Sequence, residues 1–485
     1  MKSESWEIPQ RQSAAGLLIF IIRSVITVLK AAWPFLAVIL FRGKSKSGNE
    51  FLFLLIAVSL FVLVRSILGY YFFRFFISGT DLIINKGMIR KKTITIPLEK
   101  IQSVNSEQTL LHQIFQIVRL RIDTAGSDKT EATIDAIEIK KAAAFRSYLL
   151  KESEVGQHGT SGETPSYLIR LSVTDLLRLG ISSNHFQTFF IVLAFAISFV
   201  QNLEEIFGQK VISYLQENSA YLSLQATLLL AIAVLLVSIF VSVFRTWFRF
   251  FDFQLTEDSH GFRLRSGLLN TKQQLVPPRK IQFFSWKANW LRRQINLYTL
   301  DFHQASKDAV SRKQRITVPI TSPAMIDTLL NSYHKDIRQS ADSMHSIHAA
   351  YAWRRTLLPG VPVVVLLGLI LIPLLSWSVI WLLLFLPVQY ISAWFYRKHF
   401  RIYIAENALE IVSGVWGRKI KLMRWEKLQL CELRQSIFQR RKGLATVLLR
   451  TAGGTMKIPF IPLSLSHMLC NYALYKTERS NESWM

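Results

Sequence analysis

The sequence predicts a polytopic membrane protein with six transmembrane helices in three hairpins, each hairpin followed by a small β-rich domain. Three observations lead to this fold class. Half of the 485 residues are apolar although 58 are Lys or Arg, the apolar residues gather in long runs, and one pattern occurs three times. A chain that is both apolar and strongly basic usually segregates the two properties along its length.

The apolar residues form six stretches. A hydrocarbon core about 30 Å thick needs about 20 helical residues, and most of the stretches reach that length. The last two nearly merge, so we expect a tight turn between them at Pro373 and Ser376–Trp377. The stretches are Gly16–Phe41, Phe51–Tyr71, His185–Val200, Leu222–Phe244, Leu357–Leu375 and Trp377–Trp394.

The basic residues are unevenly distributed, and this predicts the orientation of the chain. Residues 245–356 hold 18 Lys or Arg against 8 Asp or Glu, and residues 394–485 hold 16 against 6. The loop at 201–221 has one Lys and three Glu. Under the positive-inside rule, we expect a multi-pass protein of the cell membrane with its soluble domains and both termini in the cytoplasm.

An internal repeat covers the segments that follow the hairpins. Gly87–Gly126 aligns with Gly267–Ser306 after a shift of 180 residues, and that segment aligns with Gly414–Gly453 after a further 147, without a gap. Each copy begins with a glycine between two strand-like runs, where a hairpin turn favours positive φ. The repeated structural positions are Gly87, Gly267 and Gly414, together with Gln102, Gln282 and Gln429.

Short alternating runs and a closing apolar-periodic helix in each copy predict a bent sheet or barrel with a C-terminal helix. The three hairpins are predicted at residues 14–77, 180–245 and 355–395. The β-rich domains are predicted at residues 78–152, 246–334 and 396–477, with linkers at 153–179 and 335–354.

Several stretches resemble the bacterial pleckstrin-homology-like (PH-like) domain of membrane proteins. They are PLEKIQSV at Pro97–Val104, VRLRIDTAG at Val118–Gly126 and GLATVLLRTAGG at Gly443–Gly454. Three such domains, each after a two-helix hairpin, are similar to bacterial membrane proteins of the YdbT type. The resemblance implies PH-like folds, a smaller related membrane protein as partner, and a contribution to resistance against membrane-active bacteriocins.

The sequence contains no motif typical of catalysis. The ten His residues are scattered, and no metalloprotease, P-loop or dinucleotide motif occurs. We therefore expect no enzyme activity, no cofactor and no metal. Cys431 and Cys470 have neither metal-ligand nor redox spacing, and we expect them to be free core thiols facing a reducing compartment.

The net charge of +26 points to a polyanionic partner. A nucleic acid is not expected, because no zinc-finger, RNP-like or helix-turn-helix pattern accompanies the charge. The cytoplasmic leaflet attracts juxtamembrane basic groups by about 1 kcal/mol each, so membrane lipids are the expected anionic partner.

Arg23, Lys30 and Arg65 lie within the apolar stretches, where charged side chains are costly and often functional. Two interpretations are open: snorkelling or helix packing, and a substrate path. The six stretches contain no Asp or Glu, so a carboxylate proton relay is not predicted and the first interpretation is favoured.

A basic cluster follows an apolar pair in the third copy. We expect the apolar pair, Ile437-Phe438, to anchor the segment in the domain core. The cluster is interpreted as a surface for lipid headgroups or an acidic partner, or alternatively as a solvated face. Its residues are Arg440, Arg441 and Lys442, with Arg292 and Arg293 as a weaker copy in the second repeat.

The leading functional hypothesis is a non-enzymatic membrane scaffold whose three domains bind a protein partner, a lipid headgroup or each other. The alternative is a component of a transporter or exporter for amphipathic peptides or lipids.

Overall fold

The computed structural model describes residues 6–42, 46–87, 91–124, 132–150, 167–183, 185–201, 219–258, 261–305, 315–333 and 343–479. The chain folds into two compact units. The first unit contains Met1–Arg170 and Phe248–Pro277, and the second contains Leu171–Trp247 and Pro278–Met485. The second repeat copy is therefore divided between the two units.

The described residues of the first unit form four α-helices and ten strands. The helices are α1 (Ala14–Arg42), α2 (Lys46–Tyr71), α3 (Leu110–Ile114) and α4 (Ile139–Leu149). The strands are β1 (Arg74–Ser78), β2 (Asp81–Lys86), β3 (Lys92–Pro97), β4 (Ile101–Thr109), β5 (Ile117–Thr124), β6 (Ala132–Glu138), β7 (Tyr167–Arg170), β8 (Gln254–Asp258), β9 (Gly261–Ser266) and β10 (Asn270–Val276). They form a three-stranded sheet, β1-β2-β3, and a seven-stranded sheet in the order β6-β5-β4-β10-β9-β8-β7.

The seven-stranded sheet joins two repeat copies. Strand β4 of the first copy pairs antiparallel with β10 of the second, with Ser106 opposite Gln273 and Thr109 opposite Asn270. Residues of β5 alternate between buried and partly exposed positions, as expected for a strand with one covered face. Strands β8 to β10, predicted to belong to the domain at residues 246–334, thus complete the sheet of the preceding copy.

The core of the first unit lies between its sheets and α4. Phe145 of α4 is fully buried and contacts Phe75, with their ring centroids 5.3 Å apart. Leu82 and Ile96 of the small sheet belong to the same cluster. The closing helix predicted from the apolar period therefore covers the sheet.

The second unit repeats this plan. Its helices are α5 (Val173–Ile181), α6 (Phe186–Gln201), α7 (Ser219–Phe250), α8 (Trp290–Gln294), α9 (Pro323–Tyr333), α10 (Ala350–Leu375), α11 (Phe385–His399), α12 (Ile437–Arg441) and α13 (Leu463–Arg479). Its strands are β11 (Ile281–Ala288), β12 (Tyr298–Gln304), β13 (Arg315–Thr321), β14 (Ser343–His345), β15 (Arg401–Ile404), β16 (Ala408–Ser413), β17 (Arg418–Arg424), β18 (Leu430–Arg434), β19 (Leu444–Thr451) and β20 (Gly454–Pro462).

The sheets of the second unit have the orders β13-β12-β11-β17-β16-β15-β14 and β18-β19-β20. Strand β11 of the second copy pairs with β17 of the third, with Ser285 opposite Lys421. Phe283 of β11 is buried in one core cluster with Phe400 and Trp425 of the third copy. Each seven-stranded sheet is therefore built from two successive copies.

Three described helical segments are long and apolar enough to cross a membrane: Leu228–Phe250, Ala350–Ile372 and Ser376–His399. Val173–Ile181 and Phe186–Ser198 form a further candidate, bent by 71°. Of the residues predicted for the turn, Pro373 lies within α10, whereas Ser376 follows the end of that helix with φ 47°. The prediction of six spans in three hairpins is not confirmed by these segments.

The expectation of free thiols is wrong. Cys431 of β18 and Cys470 of α13 form a disulfide, with their Cα atoms 5.8 Å apart. The two residues meet because α13 packs against the β18-β19-β20 sheet. A sequence separation of 39 residues does not reveal this proximity.

The glycines that begin the repeat copies have the predicted positive φ. The φ angles of Gly87, Gly267 and Gly414 are 95°, 106° and 140°. A Cβ atom at Gly267 would collide with the carbonyl oxygen of Asn270, so this turn requires glycine.

Candidate functional site

One face of the seven-stranded sheet in the second unit gathers charged side chains from four strands. Asp301 has only 1% of its side chain exposed and lies 3.4 Å from both Lys287 Nζ and Arg315 Nε. The Thr317 hydroxyl donates to Asp301 at 2.7 Å. Strand pairing produces this arrangement, because Ser285 and Thr317 lie opposite Asp301 on the neighbouring strands.

His303 lies two residues further along β12. Its ring stacks on Phe283 with the centroids 4.0 Å apart, and its Nε2 lies 2.8 Å from Ser285 Oγ. Burial, followed by the charges of Lys421, Arg315 and two further lysines, lowers the pKa of His303 to about 3. The imidazole is therefore neutral at physiological pH and offers hydrogen bonding without charge.

Strand β17 adds two lysines to this face. Lys419 and Lys421 lie opposite Lys287 and Ser285 of β11. Burial, followed by the charge of Lys419, lowers the pKa of Lys421 to about 8. Its ammonium donates to the carbonyl of Thr455 at 3.3 Å and lies 5.6 Å from the centroid of the Phe283 ring, and both partners are uncharged.

We define the basic face as Lys287, Asp301, His303, Arg315, Lys419 and Lys421. Its four cations and one anion sum to 4 − 1 = +3 in formal charge. Lys287 and Arg315 are 45% and 41% exposed, so solvent and solutes can reach them. Among the described residues, Asp301 is the carboxylate that forms salt bridges on this face, with Lys287 and Arg315.

At five of these six positions the described residues of the first unit carry no net charge, and we call these five residues the neutral face. The repeat shifts place Glu107, Arg121, Asp123, Lys272 and Gln274 at the positions of Lys287, Asp301, His303, Lys419 and Lys421. The two cations and two anions there sum to zero, whereas the five counterparts in the second unit sum to 3 − 1 = +2.

The charges of that neutral face are satisfied within the protein. Arg121 and Lys272 lie 3.0 and 3.7 Å from the Glu107 carboxylate, and Asn105 donates to Asp123 at 2.8 Å. The fold thus forms without a charge excess in one unit, so the excess in the second unit is not required by the fold.

The basic face can bind an anion. Ammonium and guanidinium groups form short charge-assisted hydrogen bonds with phosphate and carboxylate oxygens, and an anion would relieve the repulsion among the four cations. Metal binding does not fit this donor set, and no group of potential metal ligands occurs within the described residues.

The basic face was not predicted from the sequence because its residues are spread over four strands of two repeat copies. A signal was nevertheless present. At the aligned positions Glu107 and Lys287 the charge reverses, and at Asp123 and His303 an acid is replaced by a base.

The short helices α3, α8 and α12 occupy equivalent places and turn their third residues inward. Side-chain caps contribute, because Asn289 and Ser436 accept from the backbone N–H groups three residues later. Each third residue then makes a polar contact in its own copy. The pairs are His112–Asp135, Arg292–Thr299 and Gln439–Thr446, at 2.9, 2.7 and 2.8 Å.

This inward turn overturns the expectation that the apolar pair anchors the segment in the core. Ile437 and Phe438 are 73% and 58% exposed, because Gln439 occupies the inward position. Arg354 of the candidate membrane helix α10 lies over the Phe438 ring, 4.4 Å from its centroid. The apolar pair therefore lies beside the start of a candidate membrane span.

The structure places the predicted basic residues differently in the two copies. Arg440, Arg441 and Lys442 are all exposed. Arg292 instead turns inward and donates to the Ser182 hydroxyl at 3.0 Å, while Arg293 is exposed. Burial lowers the pKa of Arg292, and its contact fastens α8 to the end of α5.

Arg23 of α1 donates to Asp135 at 2.8 Å, so it bonds to a strand of the first PH-like copy. This contact favours the helix-packing interpretation over a substrate path. Lys30 and Arg65 have exposed side chains on α1 and α2.

The repeated glutamines differ in environment. Gln282 is buried and Gln429 is exposed, and the backbone N–H of Gln429 donates to the Arg450 carbonyl at 2.9 Å. The side chain of Gln102 lies outside the described part of the chain.

The chain repeats a bent sheet with a closing helix and also contains long apolar helices. This combination defines a class of membrane protein with tandem β-rich domains. The model for the bacterial PH domain matches residues 18–153, 196–336 and 356–477, and the chain belongs to this family. It is similar to the UPF0699 transmembrane protein YdbT of Bacillus subtilis (strain 168), with 22% identity over 416 residues, covering 80% of this chain and 81% of that protein. The apolar helices and this transmembrane relative indicate membrane localisation.

Proposed function

We propose that the protein is a non-enzymatic, membrane-anchored scaffold whose basic face binds an anionic group, a phosphate or a carboxylate, carried by a lipid headgroup or a soluble molecule. One observation carries the proposal. Lys287, Lys419 and Lys421 carry three positive charges, whereas their counterparts Glu107, Lys272 and Gln274 carry no net charge, because Lys272 pairs with Glu107 and Gln274 is uncharged.

Physical chemistry supports a ligand at this face. Holding like charges close together in a partly desolvated place costs free energy, and groups with perturbed pKa values cluster at functional sites. The lowered pKa of Lys421 is the expected mark of this cost. An anion that bridges Lys419, Lys421 and Arg315 would offset it.

The shared sheets support the scaffold role. Because β4 pairs with β10 and β11 pairs with β17, each seven-stranded sheet ties two repeat copies together through backbone hydrogen bonds. Such a framework can hold binding groups in fixed positions.

The test uses the full-length protein in nanodiscs of zwitterionic phosphatidylcholine, titrated with inorganic phosphate by calorimetry. We expect measurable binding that Lys419→Gln weakens about tenfold or more, since a hydrogen bond to a charged group contributes about 1.5–3 kcal/mol. Lys272→Gln, at the equivalent position of the neutral face, is the matched control and should bind phosphate like the unaltered protein.

A second arm distinguishes the two sources of the anion. In nanodiscs that contain phosphatidylglycerol, a lipid headgroup at the basic face would compete and weaken phosphate binding, whereas a site for soluble anions would bind phosphate equally well in both discs. Equal binding by Lys419→Gln and the unaltered protein would overturn the proposal.

We further propose, on the resemblance and on the charge distribution, that the domains and both termini are cytoplasmic. The disulfide between Cys431 and Cys470 points the other way, because disulfides persist mainly in oxidising compartments. Reporter fusions after Lys46, Gln209, Lys313 and Lys457 should read outside, outside, inside and inside. An outside reading at Lys457 would reverse the orientation of the third domain.

A smaller related membrane protein as partner, and a shared role in defence against membrane-active peptides, are proposed from the same resemblance. Affinity purification from native membranes should recover that relative, and deletion of the gene should increase killing by a membrane-active bacteriocin. Unchanged sensitivity would remove this part of the proposal.

A further inference from the structure

The other face of each seven-stranded sheet is covered by the closing helix, and the two units differ sharply there. In the second unit, Trp286, Ile420 and Val412 lie on this face, and all three are at least 94% buried. The repeat shifts place Ser106, Gln273 and Arg265 at the same positions in the first unit. In the first unit, polar side chains therefore occupy the positions that apolar side chains fill in the second unit.

A groove occupies this place in the first unit. Its volume is about 440 Å³, within the usual range of small-molecule sites. One wall is apolar and includes Val118, Leu120 and Ala142. Ser106 and Gln273 line the floor, where they lie opposite each other on β4 and β10.

Three arginines line the same groove: Arg146 of α4, and Arg263 and Arg265 of β9. Among the described residues that line it, none is acidic. Arg265 also lies 3.8 Å from the Asp252 carboxylate, and its side chain is 56% exposed. A cavity with an apolar wall and an arginine rim therefore combines two recognition chemistries.

We propose that this groove binds an anionic amphiphile, a molecule with a carboxylate or phosphate head and an alkyl chain. The head would lie against the guanidinium groups, which bind such oxygens in bidentate geometry. The chain would lie along the apolar wall, where Ile139 is 44% exposed, and supply apolar volume that Trp286 and Ile420 supply in the second unit.

This site is independent of the basic face. It lies in the first unit, on the opposite side of the sheet from Glu107 and Arg121, and it requires an apolar chain, which the basic face does not. The two proposals can therefore fail separately.

Scintillation proximity with radiolabelled dodecanoate on the full-length protein, held in a non-ionic amphipol, tests the inference. We expect saturable binding that dodecyl phosphate displaces and that dodecanol, with the same chain and a neutral head, displaces at least tenfold less well. Arg263→Gln should weaken dodecanoate binding at least tenfold because it removes a charge-assisted contact.

Ser106→Trp tests the cavity itself, since it introduces the residue that fills the equivalent place in the second unit. It should abolish dodecanoate binding while the thermal unfolding temperature stays unchanged or rises. Arg121→Gln, on the opposite face of the same sheet, is the control and should bind normally. Lipid extracted from the purified protein would identify a membrane source, whereas extraction without lipid would indicate a soluble amphiphile.

The inference is overturned if dodecanol competes as well as dodecyl phosphate, or if Arg263→Gln and Ser106→Trp both bind dodecanoate like the unaltered protein. Unaltered phosphate binding at the basic face in these variants would confirm that the fold and the other site are intact.

Discussion

Arg23, the tenth residue of α1, donates to Asp135 in strand β6 at 2.8 Å. Asp135 also lies 2.6 Å from Arg119 and 2.9 Å from His112. Burial alone would raise the pKa of Asp135, but the hydrogen bonds from His112 and Arg119 and the nearby arginine charges hold it well below its usual range. One carboxylate therefore ties the helix to the domain that follows.

Replacing this carboxylate should loosen the connection. Asp135→Asn leaves its buried partners without a countercharge, so we expect the free energy of unfolding to fall by about 2 kcal/mol. Thermal unfolding in detergent would measure the change. Glu99→Gln, at an exposed position of the same copy, is the control and should have little effect.

The same carboxylate predicts a pH dependence. Because the pKa of Asp135 is lower in the folded protein than the ordinary value of about 3.9, its stabilisation is present above that pH and is lost as the pH falls toward the folded pKa. Asp135→Asn should flatten this acid limb of the stability curve. An unchanged acid limb would show that other carboxylates dominate it.

The repeat turns give a second stability prediction. Gly267→Val forces a β-branched residue to φ 106° and a Cβ atom onto the carbonyl of Asn270, with strain of about 1–3 kcal/mol. We expect faster limited proteolysis of this segment. Gly69→Ala is the control, because no neighbour lies within 4 Å of a Cβ there. Equal digestion of both variants would contradict the role assigned to Gly267.

These turns were predictable because a glycine between two strand-like runs is a local signal. The pairing of β4 with β10 was not, since the partners lie far apart in the sequence and a sheet edge carries no marker of its partner. The prediction that Ile437 and Phe438 lie in the core was wrong because Gln439 takes the inward position. Capping by Ser436 and the contact of Gln439 with Thr446, not hydropathy, set the rotation of this five-residue helix.

The exposed α12 predicts contact with the membrane surface. Ile437 and Phe438 can enter the headgroup region, and Arg440, Arg441 and Lys442 can attract anionic lipid by about 1 kcal/mol each. Hydrogen exchange of the full-length protein in phosphatidylglycerol nanodiscs should be slower at residues 437–442 than in phosphatidylcholine nanodiscs. Replacing the three cations by Gln should abolish the difference, whereas Lys457→Gln should preserve it. Equal exchange in both discs would identify a solvated face.

The pKa of Lys421 predicts how anion binding depends on pH. It is lowered to about 8 from an ordinary value of 10.5, so Lys421 loses its proton in the folded protein as the pH rises through about 8. Sulfate, which does not titrate there, should bind the basic face several-fold more weakly at pH 9 than at pH 7. Lys421→Gln should remove most of this dependence, and a steep dependence in that variant would assign it to another group.

Lys421→Gln is also the most direct test of the central claim, since it introduces the residue found at the equivalent position, Gln274. The measurement is the thermal unfolding temperature of the full-length protein, with and without phosphate. If the charge excess serves to bind an anion, the variant without phosphate should unfold at a higher temperature than the unaltered protein without phosphate. Phosphate should then raise the unfolding temperature of the variant by less than it raises that of the unaltered protein. A variant that is less stable without phosphate, or that gains as much from it, would contradict the claim that the basic face is an anion site.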